Sequence, residues 1–197
     1  MSHIVASPPE VTSRTTARIV GRWMVSFVGF PLGGLAALLL TDQVDSVSHA
    51  LVGGLVTGAV LGAVQSWALR FDRRDLLAWT VATALGLAAG LALGAGLVDF
   101  NTGMRDLALQ GAVTGAIVGL AQAPVLRRRA GLVALAWPLY LAGTWALGWV
   151  VTTAGGIAVE DQFTTFGSFG ALTVTFLTSI LPVFLATRAA NTEESSS

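Results

Sequence analysis

The chain is 197 residues long, 54% hydrophobic and formally neutral, with 11 basic residues against 11 acidic ones. It has no cysteine, which excludes disulfides and thiolate-held metals, its basic residues are all arginine, and no nucleic-acid partner is expected. All formal charges sit in joints and tails, leaving uncharged stretches at residues 23–41, 46–69, 76–98, 107–126, 130–159 and 162–187.

A helix rises about 1.5 Å per residue, so roughly 20 apolar residues cross about 30 Å of hydrocarbon. Each stretch is long enough, and the sequence predicts an all-α integral membrane protein with six transmembrane helices. Residues 1–22, with Pro8-Pro9 and many hydroxyl side chains, read as a disordered cytoplasmic tail, 23–188 as the membrane domain and 189–197 as a second disordered tail. The first stretch is longer than a signal-peptide core, and the TDQVDS after it lacks a small-x-small cleavage site.

Taken in chain order, the first stretch carries Gly29, Gly33 and Ala37 four residues apart, and the second carries Gly54, Gly58 and Gly62 followed by Gln65. The third returns to the first pattern with Gly86, Gly90 and Gly94, and the fourth to the second with Gly111, Gly115, Gly119 and Gln122. Residues 54–70 and 111–127 match at a constant offset of 57, pairing Thr57 with Thr114, Gln65 with Gln122 and Arg70 with Arg127. The fifth stretch follows loosely with Gly148, Thr152 and Gly156. In the sixth, GALT at 170–173 aligns with GAVT at 111–114, which puts Val174 and Thr178 at glycine positions and Leu181 at the glutamine position. The pattern predicts three helical hairpin repeats, at about 23–70, 76–127 and 131–188. Each crosses outward and returns, so all share one orientation and no inverted-topology repeat results.

Residues four apart lie on one helix face, and small ones let backbones approach closely where lipid removes the hydrophobic drive between helices. The glycine stripes are therefore helix-packing faces, either seams within the bundle or surfaces for a homo-oligomer or a membrane-protein partner. Pro31, Pro124, Pro138 and Pro182 should bend or end helices. Ten arginines, in the first tail, at Arg70, Arg73, Arg74 and Arg127–Arg129, and at Arg188, fall on one side. The other side has Arg105 against Asp42, Asp45, Asp99, Asp106, Glu160 and Asp161, so both termini are expected in the cytoplasm of a bacterium, with the chain in its inner membrane. Trp23, Trp67 and Trp79 fall near inner span ends, at the level of the headgroups.

Polar chemistry inside the spans is sparse. Gln65 and Gln122 each need a partner, and they read either as interhelical hydrogen bonds or as polar groups lining a neutral-solute pocket or pathway. Trp145 and Trp149 form a stripe with Trp137 that reads as core or as the wall of an aromatic-lined cavity. His49 reads as an interfacial residue or a pH-sensitive partner of Asp45. The outer acids read as solvated loops or as a weak cation site. No span holds paired carboxylates, a metal-ligand cluster or a nucleophile with its base, so no catalytic residue, cofactor or metal is expected.

GAVLGAVQSWALR and GAIVGLAQAPVLRRR resemble a motif of uncharacterised small bacterial multi-span membrane proteins, Gly-x-x-x-Gly-x-x-Gln followed by an apolar turn and Leu-Arg. The resemblance implies a multi-span repeat fold and no assigned activity. The expected function is non-enzymatic: binding or translocating a small neutral or apolar solute. The rival is a structural or assembly subunit docking another membrane protein through its glycine-rich faces.

Overall fold

A computed structural model describes residues 13–41, 45–157 and 168–194, and all their regular structure is helical. The helices are α1 (Ser13–Val25), α2 (Gly29–Thr41), α3 (Val47–Leu69), α4 (Arg73–Leu97), α5 (Met104–Ala130), α6 (Trp137–Ala154), α7 (Ser168–Thr178) and α8 (Ile180–Glu194). Five continuous helical stretches are long and apolar enough to cross a membrane: Ser13–Thr41, Val47–Leu69, Arg73–Leu97, Met104–Ala154 and Ser168–Thr192. The fourth is 51 residues long. Straight, it would extend about 75 Å; instead it folds back through a 3-10 segment, Gly131–Ala136, so that α6 runs along α5.

Two tail expectations need correction. Residues 13–22 are helical rather than disordered, because Ile19, Val20 and Trp23 give α1 an apolar face, and α8 likewise runs on to Glu194. Asp42, Glu160 and Asp161 lie outside the described residues.

Local chemistry sets the helix ends. Ser46 caps α3 by accepting from the His49 N–H at 3.3 Å, and Asp72 caps α4 by accepting from the Asp75 N–H at 2.9 Å. Because Asp72 starts α4 at once, α3 must stop abruptly, and it does so at Arg70 in the left-handed conformation (φ 56, ψ 40). No such cap follows Arg127, so α5 continues to Ala130 and ends at Gly131, whose positive φ (φ 62, ψ −141) lies outside the left-handed helical region. Pro124 lies inside α5 without ending it, whereas Pro138 sits in the first turn of α6. Pro182 follows the break between α7 and α8, where its ring crowds the Thr178 carbonyl and removes that carbonyl's helical donor.

The helices pack in chain order from α2 to α7, and α1 closes the circle against α7 and α8. The seams are glycine seams. A Cβ on Gly58 would lie 2.6 Å from the Ala84 Cα, and one on Gly115 2.4 Å from the Leu141 oxygen. Gly54 and Gly62 meet α4 in the same way, Gly111 and Gly119 meet α6, Gly86, Gly90 and Gly94 meet α5, and Gly170 meets α6 at Gly148 and Thr152. Thr57 and Thr114 each donate across a seam, to the Gly33 carbonyl at 3.1 Å and the Gly90 carbonyl at 3.0 Å. The inside therefore holds small residues and tryptophans, while Leu39, Leu97, Leu132 and Leu139 point outward, each at least 65% exposed. That inverted arrangement suits a hydrocarbon surround.

Candidate functional site: an uncharged axial cavity

At the centre of the circle lies a cavity of about 20 Å³, to which every helix but α8 contributes. That is room for about one water-sized molecule. Gln65, Gln122, Thr83 and Thr178 supply its polar atoms, Trp23, Trp79, Trp137 and Trp145 its indoles, and Phe30, Leu61, Val118, Leu141 and Val174 the rest of its wall. None of these residues carries a formal charge.

Three times around it an indole N–H donates to the neighbouring helix. The Trp79 indole N–H donates to Gln65 Oε1 at 3.2 Å, and the Trp137 indole to Gln122 Oε1 at 2.8 Å. The Trp23 indole donates to the Thr175 carbonyl at 2.9 Å and to Thr178 Oγ1 at 3.2 Å. In each case an odd-numbered sequence stretch offers its first tryptophan to the return stretch beside it. Leu61, Val118 and Val174 stand one turn deeper at the same three places. The sixth stretch thus brings Thr178, not Leu181, to the position held by the glutamines, because its register slips relative to the sequence alignment.

An indole N–H can only donate, so each contact fixes the glutamine oxygen and with it the direction of the amide. Gln122 is saturated in its first requirement on both sides: it also donates from Nε2 to Thr83 Oγ1 at 2.9 Å, and it is 2% exposed. Gln65 is not. Its Nε2 meets no acceptor among the described residues, and it lines the cavity. On the deeper side Phe30 of α2 and Trp145 of α6 approach to 6.3 Å between ring centroids.

The expected site residues divide accordingly. Gln65, Gln122 and Trp145 come together. Trp149 does not line the cavity, because it is buried against Gly111, where a Cβ would lie 2.5 Å from its Cδ1. Trp23 and Trp79, expected at the headgroups, are instead 1% exposed, and only Trp67, at 55%, is outward. Trp23, Trp79, Thr83 and Thr178 are site members that residue-by-residue reading missed. For the tryptophans the signal was the recurrence of Trp at 23, 79 and 137 in alternate uncharged stretches.

Beyond the cavity, at the arginine-rich end, Phe71 packs edge-on to Trp79 at 5.7 Å, and the Arg129 guanidinium lies over Phe71 at 4.7 Å. Asp75, 7% exposed, is paired with Arg128 at 3.2 Å and Arg129 at 2.8 Å, tying the start of α4 to the end of α5. At the opposite end His49 Nδ1 meets Asp45 Oδ1 at 2.7 Å, and this hydrogen bond holds the Asp45 carboxyl below its ordinary range. Among the described residues no cluster of His, Asp and Glu could hold a metal ion.

No protein-family model, curated protein or solved structure matches the chain.

Proposed function

We propose that the chain is an integral membrane protein of six crossings, built as three hairpins with both termini at the cytoplasmic face of a bacterial inner membrane, and that it binds a small uncharged solute on its axis. The fold-back between α5 and α6 supports six crossings from five apolar stretches. Arginines from all three hairpins gather at one end: Arg22 reaches the Ala68 carbonyl, Arg129 reaches Asp75, and Arg188 lies over Gly131. The positive-inside rule makes that end cytoplasmic.

The observation that carries the solute reading is Gln65: an amide that lines a charge-free cavity, its oxygen fixed by Trp79 and its Nε2 without an acceptor among the described residues. An amide donor kept from water and left without a partner costs about 1–3 kcal/mol. A water-sized molecule that accepts a hydrogen bond removes that cost, and an ion does not suit the site, because no opposite charge lines it. The plug of Phe30 and Trp145 favours a binding site over an open conduit, with transport requiring those rings to part. The docking rival loses its surface, since the glycines it needs are already against neighbouring helices of the same chain. Proteoliposomes carrying the protein should take up water or ammonia faster than empty ones by stopped-flow light scattering, and Gln65→Leu should abolish the difference. Rates equal to those of empty liposomes, with no thermal shift from ammonia, would refute this reading.

A further inference from the structure

The arginines of the cytoplasmic end are of two kinds. Arg128 and Arg129 are neutralised by Asp75, with Asp72 a further 3.7 Å partner of Arg129. Arg22 and Arg70, like Arg14, Arg18, Arg73, Arg74, Arg127 and Arg188, have no carboxylate within ion-pair distance among the described residues. Arg22 donates from Nε to the Ala68 carbonyl at 2.6 Å, one of the carbonyls left over at the α3 C-terminus. That bond uses one of its five N–H donors and seats a partly desolvated guanidinium at the carbonyl two residues before Arg70, whose like charge adds to the cost of the desolvation.

Arg70 adds a second oddity. It occupies a left-handed cap, φ 56 and ψ 40, where glycine fits without penalty and a side chain does not. Two unneutralised arginines thus meet at the C-terminus of α3, one of them at a conformational cost. Beside them Trp67, 55% exposed, precedes Ala68 and turns its indole outward.

We propose that Arg22 and Arg70 together bind the phosphate of an anionic phospholipid headgroup, with Trp67 against the acyl-glycerol region of the same lipid. Phosphate accepts from several guanidinium N–H groups at once and cancels the repulsion between them. An indole at the membrane boundary is apolar on one side and wet on the other, as a lipid neighbour requires. The assignment rests on the membrane-embedded reading above.

The test is lipid retention by the full chain, purified from membranes containing phosphatidylglycerol and phosphatidylcholine and examined by native mass spectrometry, with melting temperature measured in parallel. The wild type should retain phosphatidylglycerol in preference to phosphatidylcholine. Arg22→Gln should lower that retention about fivefold, the worth of one arginine at an anionic surface. Arg70→Gly should lower it similarly while raising the lipid-free melting temperature, because the left-handed cap is relieved; this variant keeps the test valid even if others fold poorly. Arg73→Gln, an exposed neighbour, should leave retention unchanged. Wild-type retention in Arg22→Gln and Arg70→Gly would overturn the site, as would an equal loss in Arg73→Gln or a melting shift from inorganic phosphate as large as that from the lipid. A chain that stays soluble without detergent would instead remove the membrane reading beneath it.

Discussion

Gln65 in α3 and Gln122 in α5 stand 57 residues apart in matching sequence, and each accepts an indole N–H from the next helix, yet one amide is used on both sides and the other on one. The difference lies in what the preceding helix offers. Gln122 reaches Thr83 in the regular body of α4, whereas the residue 57 before Thr83 is Ser26, which falls in the 3-10 turn Ser26–Val28. Pro31 lacks the N–H that would hold the Phe27 carbonyl in an α-helix, and its ring crowds that carbonyl, so the first stretch is rewound just where a second partner for Gln65 would stand. No hydrogen bond joins Ser26 and Gln65 among the described residues. Two copies of one local pattern therefore yield a structural lock at Gln122 and an unspent donor at Gln65.

The seams that hold both glutamines in place should be the most sensitive part of the comparison. Gly115→Leu drives side-chain atoms into the Leu141 carbonyl region and Gly58→Leu into Ala84, where even a Cβ is too close to backbone atoms that cannot swing aside. Each should cost on the order of 3 kcal/mol or more. Thermal unfolding in detergent would register this as loss of the folded form, and a wild-type melting curve for either variant would show the helices are not in the contact described.

The next effect separates the two amides. Gln122→Leu strands the buried Trp137 indole and removes the Thr83 bond, at a cost of about 1–3 kcal/mol. Gln65→Leu strands the buried Trp79 indole but breaks no second bond and also removes an unpaired amide donor, so its cost should be the smaller of the two. Equal melting temperatures for the two variants would mean that Gln65 is as firmly locked as Gln122.

Most of the helical architecture was legible in the charge pattern, because a charge-free run of twenty or more residues has few alternatives to a buried or lipid-facing helix. The glycine seams were legible for a similar reason: a stripe at four-residue spacing can only serve close approach. What periodicity could not supply was register and rotation. Nothing in the sixth stretch marks Thr178 rather than Leu181 as the partner of an indole, since the slip comes from how α7 meets Trp23 and breaks before Pro182. Nor could an apolar flank tell Trp79, turned inward onto Gln65, from Trp67, turned outward near the same boundary. The extension of α1 into the arginine-bearing tail was hidden by Pro8-Pro9 and the hydroxyl-rich composition, which suggested disorder as far as residue 22.

The smallest expected difference is also between matching residues. Thr57 gives its hydroxyl proton to the Gly33 carbonyl across the α2–α3 seam at 3.1 Å. Thr114 stands in the same relation to Gly90 at 3.0 Å, but its single proton is shared with the Gln110 carbonyl of its own helix, which is nearer at 2.7 Å. An interhelical hydrogen bond in a membrane protein contributes about 0.6 kcal/mol on average. Thr57→Val should therefore lower stability by about that amount, and Thr114→Val by less, since part of what it removes was a bond within α5 that the helix does not need. Unfolding in mixed micelles, with the double variant included, resolves the pair: a larger loss at Thr114 than at Thr57 would mean that the proton points across the seam, and that the α4–α5 seam is the more tightly stitched of the two.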